Sequence, residues 1–94
     1  MYRILKQQLQ TIGIQTINVP TDARILCVQN QHDRITIWYE VFTDKEGIPM
    51  CPEEIRTIGI YGTGHSIECL PGNRIYLGTV QIGAFVWHVF HINQ

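Results

Sequence analysis

The sequence predicts an all-β fold: a single domain of six to seven mainly antiparallel strands, arranged as a sandwich or small barrel. Three observations carry that expectation. No stretch of the 94 residues reads as a helix of ordinary length. Apolar residues instead alternate over short runs rich in β-branched and aromatic types, separated by turn-forming residues. Residues 85–92 are apolar or aromatic on both alternating sets, with Phe85, Trp87 and Val89 on one side and Val86, Phe90 and Ile92 on the other. A strand of that kind is ordinarily covered on both sides, which places it in the middle of the fold.

Taken in order, Arg3 to Leu9 reads as a short first strand. Thr11 to Val19 follows, with apolar residues at 12 and 14 and then at 17 and 19. That change of phase predicts a bulge, and Gly13 would permit one. Pro20 to Ala23 is a turn. Arg24–Gln29 and Arg34–Phe42 flank the polar tetrad Asn30 to Asp33, a β-hairpin pattern. Ile35, Ile37, Tyr39 and Val41 make one clean apolar face of its second strand. The other face is polar but carries Trp38, which is therefore expected at the surface or at an interface.

Thr43 to Glu53 holds Pro49, Pro52 and the run Asp44-Lys45-Glu46-Gly47, which exclude a central strand and leave a loop. Ile55 to Tyr61 resumes strand character and runs into Gly62-Thr63-Gly64-His65. Pro71-Gly72-Asn73 turns the chain into the closing stretch. Gly78 and Gly83 suggest a bend or bulge there, dividing it into strands near 74–81 and 84–92. The tetrapeptide Thr-Ile-Gly-Ile occurs at 11–14 and 57–60, but no other residues match at that offset, so it is coincidence rather than a repeat.

Composition bounds the function classes. Charged residues make up only 16% of the chain and the net charge is −1. A broad nucleic-acid or membrane footprint would need a basic excess, so neither is expected. Low surface charge points instead to a surface covered by a partner or another subunit. No stretch approaches eighteen apolar residues and no signal-peptide pattern opens the chain, so a cytoplasmic location is expected. Cys27, Cys51 and Cys69 are odd in number and lack a C-x-x-C spacing, which reads as free thiols.

The most site-like feature is Gly62-Thr63-Gly64-His65. It is either a tight turn that needs glycine or an anion-binding loop that offers N–H groups, with Thr63 and His65 adding donors and Tyr61, Arg56 and Arg74 near in sequence. The candidate ligand set is thus Arg56, Tyr61, Gly62, Thr63, Gly64, His65 and Arg74. A zinc site assembled from His65, Cys69, Cys51 and His88 or His91 has no standard spacing, and no cofactor motif is present. His88 reads as a core or near-core histidine with a hydrogen-bonded ring. A hydrolase would use His65 as base with Ser66 or a cysteine, but nothing supplies an orienting carboxylate. The aromatic set Trp38, Tyr39, Phe42, Tyr61, Tyr76 and Trp87 is expected to be mostly core.

Beyond these single features, Ile60-Tyr61-Gly62-Thr63-Gly64-His65 (I-x-G-T-G-H) and Val86-Trp87-His88-Val89-Phe90 stand with Arg3–Lys6, Ile17–Pro20 and Ala23–Gln31 in one arrangement. Together they resemble a family of small proteins from tailed-phage and bacterial genomes that carries a domain-of-unknown-function label. The resemblance spans nearly the whole chain and implies a phage-encoded, non-enzymatic binding protein of the infected cell. Its expected role is to counter host immunity by sequestering a nucleotide-type signal or a defence protein. A virion or assembly component is the alternative. Finally, charges are scarce over residues 7–21 and 75–94, and bare edge strands invite pairing with another copy of the chain. A homo-oligomer is expected, with a two-fold dimer the commonest closure.

Overall fold

A computed structural model describes residues 1–10 and 13–93 of the chain. It contains seven strands: β1 (Tyr2–Gln8), β2 (Gly13–Pro20), β3 (Arg24–Gln31), β4 (Arg34–Phe42), β5 (Glu53–Gly62), β6 (Arg74–Ile82) and β7 (Phe85–Ile92). A single 3₁₀ turn at Pro71–Asn73, begun by proline, precedes β6. The strands form two antiparallel sheets, ordered β1-β4-β3 and β2-β5-β7-β6. Among the described residues no pairing joins the two sheets into a closed barrel, so of the two predicted arrangements the sandwich is the one formed.

The core is supplied by alternation. Ile35, Ile37, Tyr39 and Val41 on β4 face inward and are buried, meeting Ile58 and Ile60 of β5, Val80 of β6 and Val89 of β7 in one cluster. The sheets come closest where β3 passes β6. There a side chain on Gly78 would place its Cβ 2.5 Å from Cγ1 of the buried Val28, so only glycine lets the two layers approach this far. Asn30 Nδ2 also donates to the Gln81 carbonyl at 3.2 Å across that seam. The long loop packs back on the first strand, with Arg3 Nε donating to Thr43 Oγ1 at 3.1 Å.

Several local expectations are corrected. The β2–β5 register runs unbroken from Gly13 to Pro20, so the change of apolar phase needs no bulge. Ile14 simply faces out and is 62% exposed, while Ile12 lies outside the described residues. A bulge does occur at the expected Gly78, in β6 between Tyr76 and Gly78, and a further one in β3 between Ile25 and Cys27. The last strand is not an edge, since β7 lies between β5 and β6. Nor is it covered on both sides: among the described residues no third layer lies over the four-stranded sheet, and Phe90, Val86 and His88 stay half-buried on its outer face. For the same reason the aromatic set is not mostly core. Tyr39 alone among those six is buried; Trp38, Tyr61 and Trp87 are half-buried, and Phe42 and Tyr76 are exposed.

Candidate functional site

The Gly62–His65 segment is a tight β-turn. His65 N–H donates to the Gly62 carbonyl at 3.0 Å, and Gly64, two residues into the turn, has φ +87°, the position and sign that demand glycine in a type II turn. Thr63 N–H donates to the Val86 carbonyl at 3.3 Å, and Gly62 N–H donates to His65 Nδ1 at 3.1 Å. Three of the four amides that an anion-binding loop would offer are therefore already engaged within the protein. The amide-cradle expectation gives way to the turn. The loop still walls a cleft of about 470 Å³ with Phe85, Val86 and Trp87. The His65 ring stands edge-on to Trp87 there, centroids 6.4 Å apart.

A more developed arrangement covers the outer face of the four-stranded sheet. Ile58 and Ile60 point inward, so Gly59 and Tyr61 point outward, and on β7 the outward set is Val86, His88, Phe90 and Ile92. Gly59 stands directly opposite Phe90. Its missing side chain leaves room for the Tyr61 ring, which folds back along its own strand until a Gly59 Cβ would lie 2.8 Å from it. Tyr61 and Tyr76 thereby flank Phe90, at centroid distances of 6.1 and 5.6 Å, both tilted by more than 60° against it. Arg74 lies with its guanidinium carbon 5.5 Å from the Phe90 centroid, a cation–π placement.

A chain of polar groups runs beside the rings. Thr63 Oγ1 is 2.8 Å from His88 Nε2, Thr79 Oγ1 is 3.1 Å from His88 Nδ1, and the Tyr76 hydroxyl hydrogen-bonds Thr79 Oγ1. The expectation of a hydrogen-bonded His88 ring fits, but the ring sits on the outer face rather than in the core. Burial, and after it the neighbouring Cys69 thiol and Glu68 carboxylate, push the Tyr61 phenol above its ordinary value; Arg74 pulls the other way. Tyr61 is accordingly a neutral donor at physiological pH.

The candidate ligand residues therefore separate. Tyr61, Thr63 and Arg74 join the aromatic face, although Arg74 spends one donor on the Cys69 carbonyl. Gly62 and His65 belong to the neighbouring cleft, and Gly64 shapes the turn. Arg56 joins neither group. Its Nη1 donates to the Ala23 carbonyl at 2.8 Å and its Nη2 to that of Thr21 at 3.2 Å, pinning it to the Pro20–Ala23 turn. Six residues along a strand from Gly62, it sits about 20 Å from the loop. Trp38 lies half-buried on the outer face of the other sheet, beside Ile4, Leu26, Cys27 and Gln29.

Reading by sequence alone missed Phe90, Tyr76 and Thr79 as site residues and weighed His88 only as a zinc ligand or a core histidine. The signal was present in the outward phase of β7, but it has meaning only once β5 and β6 are known to be its neighbours. Among the described residues, no three His, Cys, Asp or Glu side chains are grouped to hold a metal ion. Among the described residues the one histidine bonded to side-chain hydroxyls is His88, not His65, and the partner on each of its nitrogens is a threonine rather than a carboxylate. Searches found no match to the chain among curated proteins or among solved structures. The family described as "Domain of unknown function (DUF7352)" matches residues 1–94, the full length, and the chain belongs to that family.

Proposed function

We propose that the protein is a non-enzymatic binding module that captures a nucleotide-type small molecule on the outer face of its four-stranded sheet. One observation carries the reading: Tyr61, Phe90 and Tyr76 stand side by side on three adjacent strands with Arg74 over the central ring. Aromatic rings exposed on a sheet stack nucleobases, because every base has a π-face. A guanidinium carries five donors, so Arg74 keeps four for a phosphate after its bond to Cys69. His88, bonded through both ring nitrogens, fixes the Thr63 and Thr79 side chains, whose hydroxyls keep hydrogen-bonding capacity suited to a ribose or a base edge. A net charge of −1 suits a small ligand held by one arginine better than a long polyanion.

The resemblance to small tailed-phage and bacterial proteins supplies the setting within this proposal. A phage-encoded module of this kind acts in the infected cell, where sequestering a nucleotide signal would blunt host immunity. The test is a thermal-shift panel of mononucleotides and cyclic dinucleotides. Ligand at a hundred times its Kd should add about 2.7 kcal/mol of stability. Tyr76→Ala should leave the fold intact, since the ring is 58% exposed, and weaken binding by roughly tenfold to a hundredfold. The nucleotide should be recovered unaltered. If no nucleotide at millimolar concentration moves the Tm, capture of such a signal is rejected, and the choice passes to a defence protein that co-purifies or to a virion role seen in purified particles.

A further inference from the structure

We infer that the outer face of the three-stranded sheet is a self-association surface, on which two copies pack about a two-fold axis with Lys6 of each copy meeting Glu40 of the other. The face is apolar for its position. Ile4 is 61% exposed and Tyr2 68%, Leu26 and Phe42 are each 40% exposed, and a groove of about 370 Å³ opens beside Trp38. Tyr2 and Phe42 pack edge-on at its rim, centroids 5.2 Å apart. Isolated exposed apolar residues need no explanation, but a contiguous set of this kind marks an interaction site.

Register identifies the occupant. Ile4 stands opposite Glu40 and Lys6 opposite Trp38, so these four outward side chains form a square on β1 and β4. One diagonal of the square is apolar, Ile4 and Trp38. The other carries opposite charges, Lys6 and Glu40. Neither charge is spent in an ion pair among the described residues, where the one such pair is Arg56 with Glu54, 3.5 Å apart. Lys6 instead bonds the Gln31 amide oxygen at 2.8 Å. A two-fold axis laid along the apolar diagonal brings each lysine over the other copy's glutamate, twice, with Trp38 and Ile4 meeting their own counterparts on the axis. Of the outward charges, Lys6 and Glu40 are exchanged by this half-turn, while Arg24, opposite Glu40 on β3, lies outside the square; the exchanged pair is what fits the face to a second copy of itself. The strands of the two copies then cross steeply, as in orthogonal sheet packing.

Three strands of seven to nine residues cover about 25 by 15 Å, roughly half the area per partner of a standard stable interface. The dimer is accordingly one of micromolar strength, and the measurement is light scattering across a dilution series starting at several hundred micromolar. Wild-type chain should give twice the 10.9 kDa monomer mass at the top of the series and fall towards the monomer on dilution. Lys6→Glu and Glu40→Lys should each be folded, by circular dichroism and Tm, yet monomeric throughout, because each places like charges across the axis. An equimolar mixture of the two variants should recover the dimer, since both contacts then become attractive. A monomeric wild type overturns the inference. So does a Lys6→Glu variant that dimerises unchanged, or a mixture of folded variants that stays monomeric. Nucleotide titration of the same samples reads the opposite face and separates failure of this surface from failure of the proposed function.

Discussion

The two sheets are each built around an interior strand, and the two strands spend their hydrophobicity in opposite ways. β4 alternates, with four inward residues, Ile35, Ile37, Tyr39 and Val41, all buried. β7 is the more apolar to the eye, yet of its inward set Phe85, Trp87, Val89 and His91 only Val89 is buried. Much of its remaining apolar and aromatic surface faces out, where Phe90 anchors the ring cluster. A strand's apolar content therefore does not measure its share of the core. In a two-layer fold an interior strand has one face to bury, and apolar residues on the other face are free to serve recognition.

Truncation should break the symmetry between the two strands most visibly. Ile37 has no exposure and lies in the centre of the cluster, so Ile37→Ala should cost about 3–4 kcal/mol, read from urea unfolding. Phe90 is the larger side chain but half-buried, and Phe90→Ala should cost only about 1 kcal/mol while removing nucleotide binding. Equal losses of stability at the two positions would mean that the outer face of β7 is part of the folding core after all.

The hairpins that contain the two strands differ as well, and this sharpens the contrast. β6 and β7 are joined by Gly83-Ala84, with the glycine at the first central position, where φ is +58°. β3 and β4 are joined by His32-Asp33, with Gln31 opposite Arg34 and φ at +53° and +62° in turn. Both central residues are thus left-handed without being glycine, the geometry of a type I′ turn, which Asn-Gly adopts with least strain. Asn30 Oδ1 partly compensates by accepting from the Asp33 N–H at 2.8 Å. Replacing His32-Asp33 by Asn-Gly keeps that N–H and should raise stability by about 1 kcal/mol, measured by thermal or urea unfolding. A loss of stability would show that the His32 or Asp33 side chain makes a contribution larger than the strain.

These contrasts also mark how far the sequence could be read. The β3–β4 hairpin, the inward face of β4 and the division of the closing stretch at Gly83 were legible because alternation and turn residues are local signals. The aromatic face was not, because it depends on β5, β7 and β6 lying side by side, a long-range pairing that no local pattern records. Arg56 misled for a related reason. Nearness in sequence counts for little along a strand, where each residue adds about 3.3 Å. Ile14 misled because an apolar residue was assumed to face inward, whereas an outward isoleucine on an edge strand keeps the register simple.

The smallest expected effect concerns His91, which gives the inward side of β7 a histidine where β4 has only Ile, Tyr and Val. Burial, and after it the nearby Arg56 guanidinium, lower the His91 pKa below its ordinary value, with Glu54 opposing. The folded protein therefore takes up this proton less readily than the unfolded chain does. Between the two pKa values the unfolded state binds more protons, so stability rises with pH there. His91's contribution is fully present above the ordinary histidine value of about 6.5 and is lost as pH falls through that value towards the lowered one. The Tm measured from pH 7.5 down to 5 should decline, and His91→Gln, which cannot charge, should decline less. Identical slopes for the two proteins would show that His91 protonates as easily in the fold as outside it, and that the inward side of β7 admits enough water to behave as surface there.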